Sequence, residues 1–140
     1  MRFSVPALAI ALGGVAFPIA AIAAQPITGK WLTVEGKGLV EIAPCGRALC
    51  GRIVRVLKPT AGKPTTDANN PDPTLRTRPI AGMVIVSGLT DGGSMWKGKI
   101  YDPTSGKTYD SKVSRNADGT LSVSGCYLIF CQSQTWTPMK

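Results

Sequence analysis

Trp96-Lys97-Gly98-Lys99-Ile100-Tyr101-Asp102-Pro103-Thr104-Ser105-Gly106-Lys107-Thr108-Tyr109-Asp110-Ser111-Lys112-Val113 decides the architecture. Side chains on a β-strand point alternately to opposite faces. Trp96, Gly98 and Ile100 therefore share one face while Lys97 and Lys99 share the other, and Tyr109, Ser111 and Val113 share a face opposite Asp110 and Lys112. Between the two runs, Asp102-Pro103-Thr104-Ser105-Gly106 carries the residues of a tight turn, with Gly at the position that needs a positive φ. Two half-buried strands joined by a turn are the unit from which the rest follows.

The same pattern repeats outward in both directions. Eight strands are expected at about 27–34, 38–44, 49–57, 83–89, 95–101, 108–115, 120–126 and 133–138. Turn signals separate most of them, at Glu35-Gly36-Lys37-Gly38, Asp91-Gly92-Gly93 and Asn116-Ala117-Asp118-Gly119. Long helical periodicity is absent. Eight short antiparallel strands in chain order close most simply into an up-and-down barrel, whose interior is either filled by side chains or holds one small ligand. At this length any cavity is expected to be small. Residues 53–57 and 83–86 are apolar on both faces apart from Arg55, so a cover is expected over them. The one long connection, 58–82, holds Pro59, Pro64, Pro71, Pro73 and Pro79 and is expected to wrap the barrel.

Met1-Arg2 followed by an apolar run from Val5 to Ala24, ending in Ala20-Ala21-Ile22-Ala23-Ala24, has the form of a cleaved export signal. Residues 1–24 are accordingly expected to be removed and 25–140 to form a single domain. No later stretch is long and apolar enough for a membrane helix. The expected product is soluble and monomeric, and its compartment is the periplasm.

Composition then removes whole classes of chemistry. The 140 residues contain no His, which excludes a Ser-His-Asp triad, a Cys-His pair and His-ligated zinc or haem. A formal net charge of +8, spread without a dense basic run, describes a cationic surface. Export takes nucleic acid out of reach, leaving anionic envelope components as contacts. The four Cys form two C-x4-C blocks, Cys45 to Cys50 and Cys126 to Cys131. This spacing fits neither a C-x-x-C redox site nor common zinc sites, so disulfides are expected in an exported chain. Of three pairings, Cys45 with Cys50 and Cys126 with Cys131 is favoured, because the intervening residues resemble hairpin loops that bring each pair face to face.

A G-x-W at Gly29-Lys30-Trp31 resembles the first strand of the lipocalin, fatty-acid-binding and avidin group. More specific are Val40-Glu41-Ile42-Ala43-Pro44-Cys45-Gly46, Leu49-Cys50-Gly51-Arg52-Ile53-Val54, Asn69-Asn70-Pro71-Asp72-Pro73, Ile100-Tyr101-Asp102-Pro103 and Gln134-Thr135-Trp136. Together they resemble the bacterial exported domain-of-unknown-function family 2147. The resemblance covers nearly all of the chain after the signal. It implies a lipocalin-like, or calycin-like, barrel in a Gram-negative envelope, and no activity comes with it.

Candidate functional residues follow from the expected faces. Trp31, Trp96 and Trp136, with Tyr109 nearby, point inward and either fill the core or wall a pocket. Arg76 and Arg78 in the long loop could anchor a carboxylate or phosphate. Asp67, Asn69, Asn70 and Asp72 form a polar cluster in the same loop, read first as turn chemistry, with Arg76 pairing Asp67 or Asp72. They lack the Gly and terminal Glu of an EF-hand, so no metal is assigned, and no cofactor. Asp102 with Ser105, Lys107 and Tyr109 is the one catalytic candidate cluster, but it reads first as a turn. Gly106-Lys107-Thr108 lacks the upstream glycine of a phosphate loop. The leading expectation is a non-catalytic binding module for a small amphipathic or anionic ligand. The alternatives are an envelope interaction protein with a solid barrel and, more remotely, an Asp-dependent hydrolase.

Overall fold

The structure is a computed structural model that describes residues 9–18 and 23–140. The expected export signal lies partly outside the described residues; its described part, 9–18, has no helix or strand and is exposed. From Gly29 onward the chain forms eight strands: β1 (Gly29–Leu32), β2 (Gly38–Cys45), β3 (Ala48–Val56), β4 (Val84–Asp91), β5 (Trp96–Asp102), β6 (Lys107–Arg115), β7 (Leu121–Tyr127) and β8 (Phe130–Pro138). Each pairs antiparallel with its sequence neighbours, and β8 returns to β1 to close the barrel.

The closure is uneven. β1 is only four residues long because Val34–Gly36 turns as a short 3-10 segment, with Glu35 at φ 58°. It meets β8 at just two pairs, Trp31 with Pro138 and Leu32 with Thr137. Among the described residues, the β8 edge from Phe130 to Trp136 thus has no ladder on that side, and a gap runs down the wall. On the other flank β8 is fully paired with β7, from Leu121 opposite Trp136 to Tyr127 opposite Phe130.

Alternation assigns the interior as the sequence implies. Val113, Leu121, Val123 and Trp136 are buried, and Ser111 with them. Both disulfides, Cys45–Cys50 and Cys126–Cys131, sit on hairpins, the first between β2 and β3 and the second between β7 and β8. The expected cover over β3 is not there. Val54 and Leu57 are each 37% exposed. The reason is that the long loop is tied elsewhere: Asn69 Nδ2 donates to the Thr104 carbonyl at 2.9 Å, and a Cβ on Gly106 would overlap the Asn69 carbonyl. The loop packs onto the β5–β6 turn rather than across β3.

Candidate functional site: a barrel closed at one end and hollow at the other

In an up-and-down barrel, alternate connections share an end. One end carries the β2–β3, β4–β5 and β6–β7 turns together with the chain leading into β1. That chain is a strap. Trp31 Nε1 donates to the Ile27 carbonyl at 2.9 Å, Trp96 Nε1 to the Gln25 carbonyl at 2.9 Å and Arg115 Nη1 to the Pro26 carbonyl at 3.1 Å. The Ala24 amide reaches both Asp91 carboxylate oxygens at 3.2 Å. Ile27 and Trp31 are buried in one core with Ile42, Leu89 and Leu121, and the Arg115 guanidinium lies 5.8 Å above the Trp31 ring. Trp31 and Trp96 thus belong to the plug of this end, each indole N–H satisfied by a backbone carbonyl.

The other end is hollow. A cavity of about 600 Å³ opens there, within the 300–1,000 Å³ range of small-molecule sites. Its inner wall is apolar, with Val40, Ile53, Ile85, Ile100, Val123 and Trp136. Nearer the mouth the wall turns polar, through Lys37, Tyr101, Asp102, Tyr109, Gln132 and Gln134. The cavity exceeds the sequence expectation because Gly125 occupies an inward position of β7, where the nearest atoms to an added Cβ, on Ile100 and Tyr109, are 3.5 and 3.7 Å away. Beside Gly125 on β6, Ser111 Oγ is buried without a partner among the described residues. Across the barrel gap, Thr33 and Lys37 face Phe130 and Gln132, so the cavity is bordered by both lips of the gap.

Of the residues singled out in the sequence, Trp136 and Tyr109 line the cavity, whereas Trp31, Trp96, Arg76 and Arg78 do not. The two arginines serve the loop. Arg76 Nε donates to the Asn70 carbonyl at 2.7 Å. Arg78, rather than Arg76, pairs with Asp67, with Nε at 3.1 Å and Nη2 at 3.0 Å from Oδ2. The lining residues Lys37, Gln132 and Gln134 were missed. Gln132 and Gln134 share the period-two face of Trp136, a signal that was available once β8 is begun at Phe130.

Asp67 is fully buried and is the hub that fixes the loop to the mouth. Its Oδ1 accepts from the Tyr101 hydroxyl at 2.6 Å, and Oδ2 accepts from Asn70 Nδ2 at 2.8 Å besides Arg78. Burial pushes its carboxyl up, but hydrogen bonds from Tyr101, Asn70 and Arg78 and the Arg78 charge outweigh burial and hold it below the usual carboxylate value. Tyr101 is pushed up to about 12, first by burial and then by its bond to the Asp67 carboxylate. Asn70 Oδ1 in turn accepts the Asp72 amide, and Thr74 donates to Asp72 Oδ1 through both amide and hydroxyl, which draws the Asp72 carboxyl down. The four polar loop residues are therefore joined in turns and in a lock.

The lock predicts two pH windows. A depressed carboxyl stabilises the fold above its unfolded value near 4 and loses that contribution as pH falls through the folded value. A raised tyrosine contributes fully below about pH 10 and loses its contribution as pH rises toward 12. The loop is therefore expected to loosen first below about pH 4 and again above about pH 10. Amide exchange across 66–80 at pH 3, 7 and 11, corrected for intrinsic rates, checks this, and a loop equally protected at all three would refute it.

Among the described residues no three acidic, His or Cys side chains converge as a metal site. Asp102 accepts from the Thr104 amide at 2.9 Å and from Ser105 Oγ at 3.0 Å, the bonds of a turn.

Among curated proteins there is no match to the chain. Among solved structures it resembles one described as "Protein HP1028 from the human pathogen Helicobacter pylori belongs to the lipocalin family", with a TM-score of 0.69 and 26% identity over 82% of this chain and 84% of that one. Residues 29–138, from the first strand to the end of the last, match the family model described as "Uncharacterized protein conserved in bacteria (DUF2147)", and the chain belongs to that family.

Proposed function

We propose that this protein is an exported, monomeric, non-catalytic carrier of one small amphipathic ligand in the periplasm. The carrying observation is the division of the barrel into a plugged half and a hollow half of about 600 Å³, apolar within and polar at its mouth. Such a site suits a guest whose hydrocarbon part lies against Ile100, Val123 and Trp136 while its polar or anionic end stays beside Lys37, Tyr109 and Gln132. The hollow half favours carriage over a solid barrel acting through its surface alone. Export is supported by the apolar N-terminal run and by two disulfides, which persist in oxidising compartments.

The test is a titration of the oxidised protein with cis-parinaric acid, a fluorescent fatty acid. One saturable site is expected. Gly125→Leu, which grows a side chain into the cavity from a wall position with room for it, is expected to weaken binding by about tenfold or more. No saturable binding by the parent protein, together with a ligand-free mass for protein taken from cells, would overturn the reading.

A further inference from the structure

The β7–β8 hairpin ends in Tyr127-Leu128-Ile129-Phe130, and all four side chains are out in solvent, Leu128 at 79% and Ile129 at 88% exposed. Isolated apolar residues on a surface need no explanation, but four in succession on one tip do. The turn itself sharpens the point. Leu128 has φ 55°, in the left-handed region, and Ile129 does not share it. A two-residue hairpin turn with a positive φ at its first central position ordinarily takes Gly there. Here a branched, bulky residue stands in that strained place and its neighbour is also branched, so local backbone preference has yielded to the side chains displayed. The Cys126–Cys131 disulfide lies directly behind the tip and fixes it to the ladder.

The surroundings state what the tip meets. The β1–β2, β3–β4 and β5–β6 connections share its end of the barrel and bring Lys37, Lys58 and Lys107, all exposed. Lys37 borders the cavity together with Tyr127 and Phe130, and Lys58 Nζ donates to the Glu35 carbonyl at 2.8 Å beside it. Glu35 and Lys37 pair with each other at 3.3 Å, Asp110 opposite Cys126 pairs with Lys99, and Asp102 holds its own turn, so Lys58 and Lys107 supply the positive charge beside the tip. An apolar tip within a basic collar, on a chain of net charge +8, complements one surface above others, an interface that is anionic outside and hydrocarbon inside.

We infer that the Tyr127–Phe130 tip, with Lys58 and Lys107, docks this protein on an anionic lipid bilayer. Leu128 and Ile129 enter the boundary between headgroups and acyl chains while the lysines meet lipid phosphates. The mouth of the cavity then faces the membrane, and the gap between β1 and β8 begins at that surface and runs up the wall. The inference stands independently of what the cavity carries.

The test follows hydrogen exchange of segment 126–131 in the full oxidised chain, a local readout that the apolar N-terminal run does not mask. Phosphatidylglycerol vesicles are expected to slow exchange of the tip severalfold, and phosphatidylcholine vesicles to leave it unchanged. In the double variant Leu128→Gly, Ile129→Asn, whose turn chemistry favours the same hairpin, the protection is expected to vanish while parinaric acid binding persists. The charge-reversed variant Lys58→Glu, Lys107→Glu, with the tip intact, is expected to need about tenfold more phosphatidylglycerol for the same protection. An unprotected tip at saturating phosphatidylglycerol overturns the inference. So does equal protection by both lipids, or protection that rises with protein concentration in the absence of vesicles, which would assign the tip to a second copy of the chain.

Discussion

Asp67→Ala is expected to destabilise the protein by about 2–4 kcal/mol, the range for removing one partner of a buried charged network, lowered because Arg78 can turn to water. The Asp67 side chain is fully buried, whereas that of Arg78 is 40% exposed. The substitution leaves the Tyr101 hydroxyl and the Asn70 amide without their acceptor and frees the loop from β5. Urea denaturation at pH 7 reads the loss. Two further measurements tie it to the mechanism. The Tyr101 hydroxyl is expected to titrate at lower pH in the variant, though burial keeps it from falling the whole way to about 10. Amide protection of 66–80 should collapse while that of β6 and β7 survives. A variant as stable as the parent protein would mean that the loop is held by its turns alone. Arg78→Ala leaves the buried Asp67 carboxylate without its cation, held only by Tyr101 and Asn70, and is expected to cost about 2–3 kcal/mol.

The second large effect lies at the opposite end. Trp31→Ala should destabilise by about 3–5 kcal/mol, the usual range for truncating a buried tryptophan. Three contributions are lost together: the apolar burial of the indole, its hydrogen bond to Ile27 and the stacking of Arg115. Trp31→Phe keeps most of the burial and is expected to lose only about 1–2 kcal/mol. Because Trp31 lies in the plug and not on the cavity wall, either variant that remains folded in the cold should bind cis-parinaric acid as the parent does. Trp136→Ala is the contrast. It removes both core and cavity wall, so stability and affinity should fall together. A Trp31 variant that is stable but has lost binding would place the guest at the wrong end of the barrel.

How far the sequence could be read depended on the range over which each feature is decided. The Trp96-to-Val113 hairpin is local, because alternation and an Asp-Pro-Thr-Ser-Gly turn are properties of neighbours, and the structure pairs Ile100 with Tyr109 and Gly98 with Ser111 accordingly. The adjacent pairing of the cysteines is local in the same sense. The ends of β1 and β8 are not. Tyr127-Leu128-Ile129-Phe130 reads as a loop in isolation, and only the ladder from β7 makes its outer residues strand. The lock is still less local, since Asp67 meets Tyr101 across 34 positions, and no spacing rule joins them. The cavity is the least local feature, because its volume is what remains after twenty residues, Gly125 among them, are placed around a closed sheet. Lys37 enters the wall because the 3-10 segment ending β1 turns it there, a consequence of Glu35 at positive φ that its residue type does not announce.

A sheet rolled into a complete cylinder offers nothing for another strand to join, and that immunity is one reason such folds resist forming fibres. The stunted first strand withdraws the immunity along one rim. From Phe130 to Trp136 the outer edge of the last strand presents amides and carbonyls that no strand among the described residues takes up, but it dresses them with Gln132, Ser133, Gln134 and Thr135 and stops at a proline that has no amide to give. Crowding at high concentration will act first on this rim. Wettable side chains there are expected to keep copies of the chain apart, and exchanging Ser133 and Thr135 for valine is expected to promote edge-to-edge assembly, which light scattering at rising protein concentration checks.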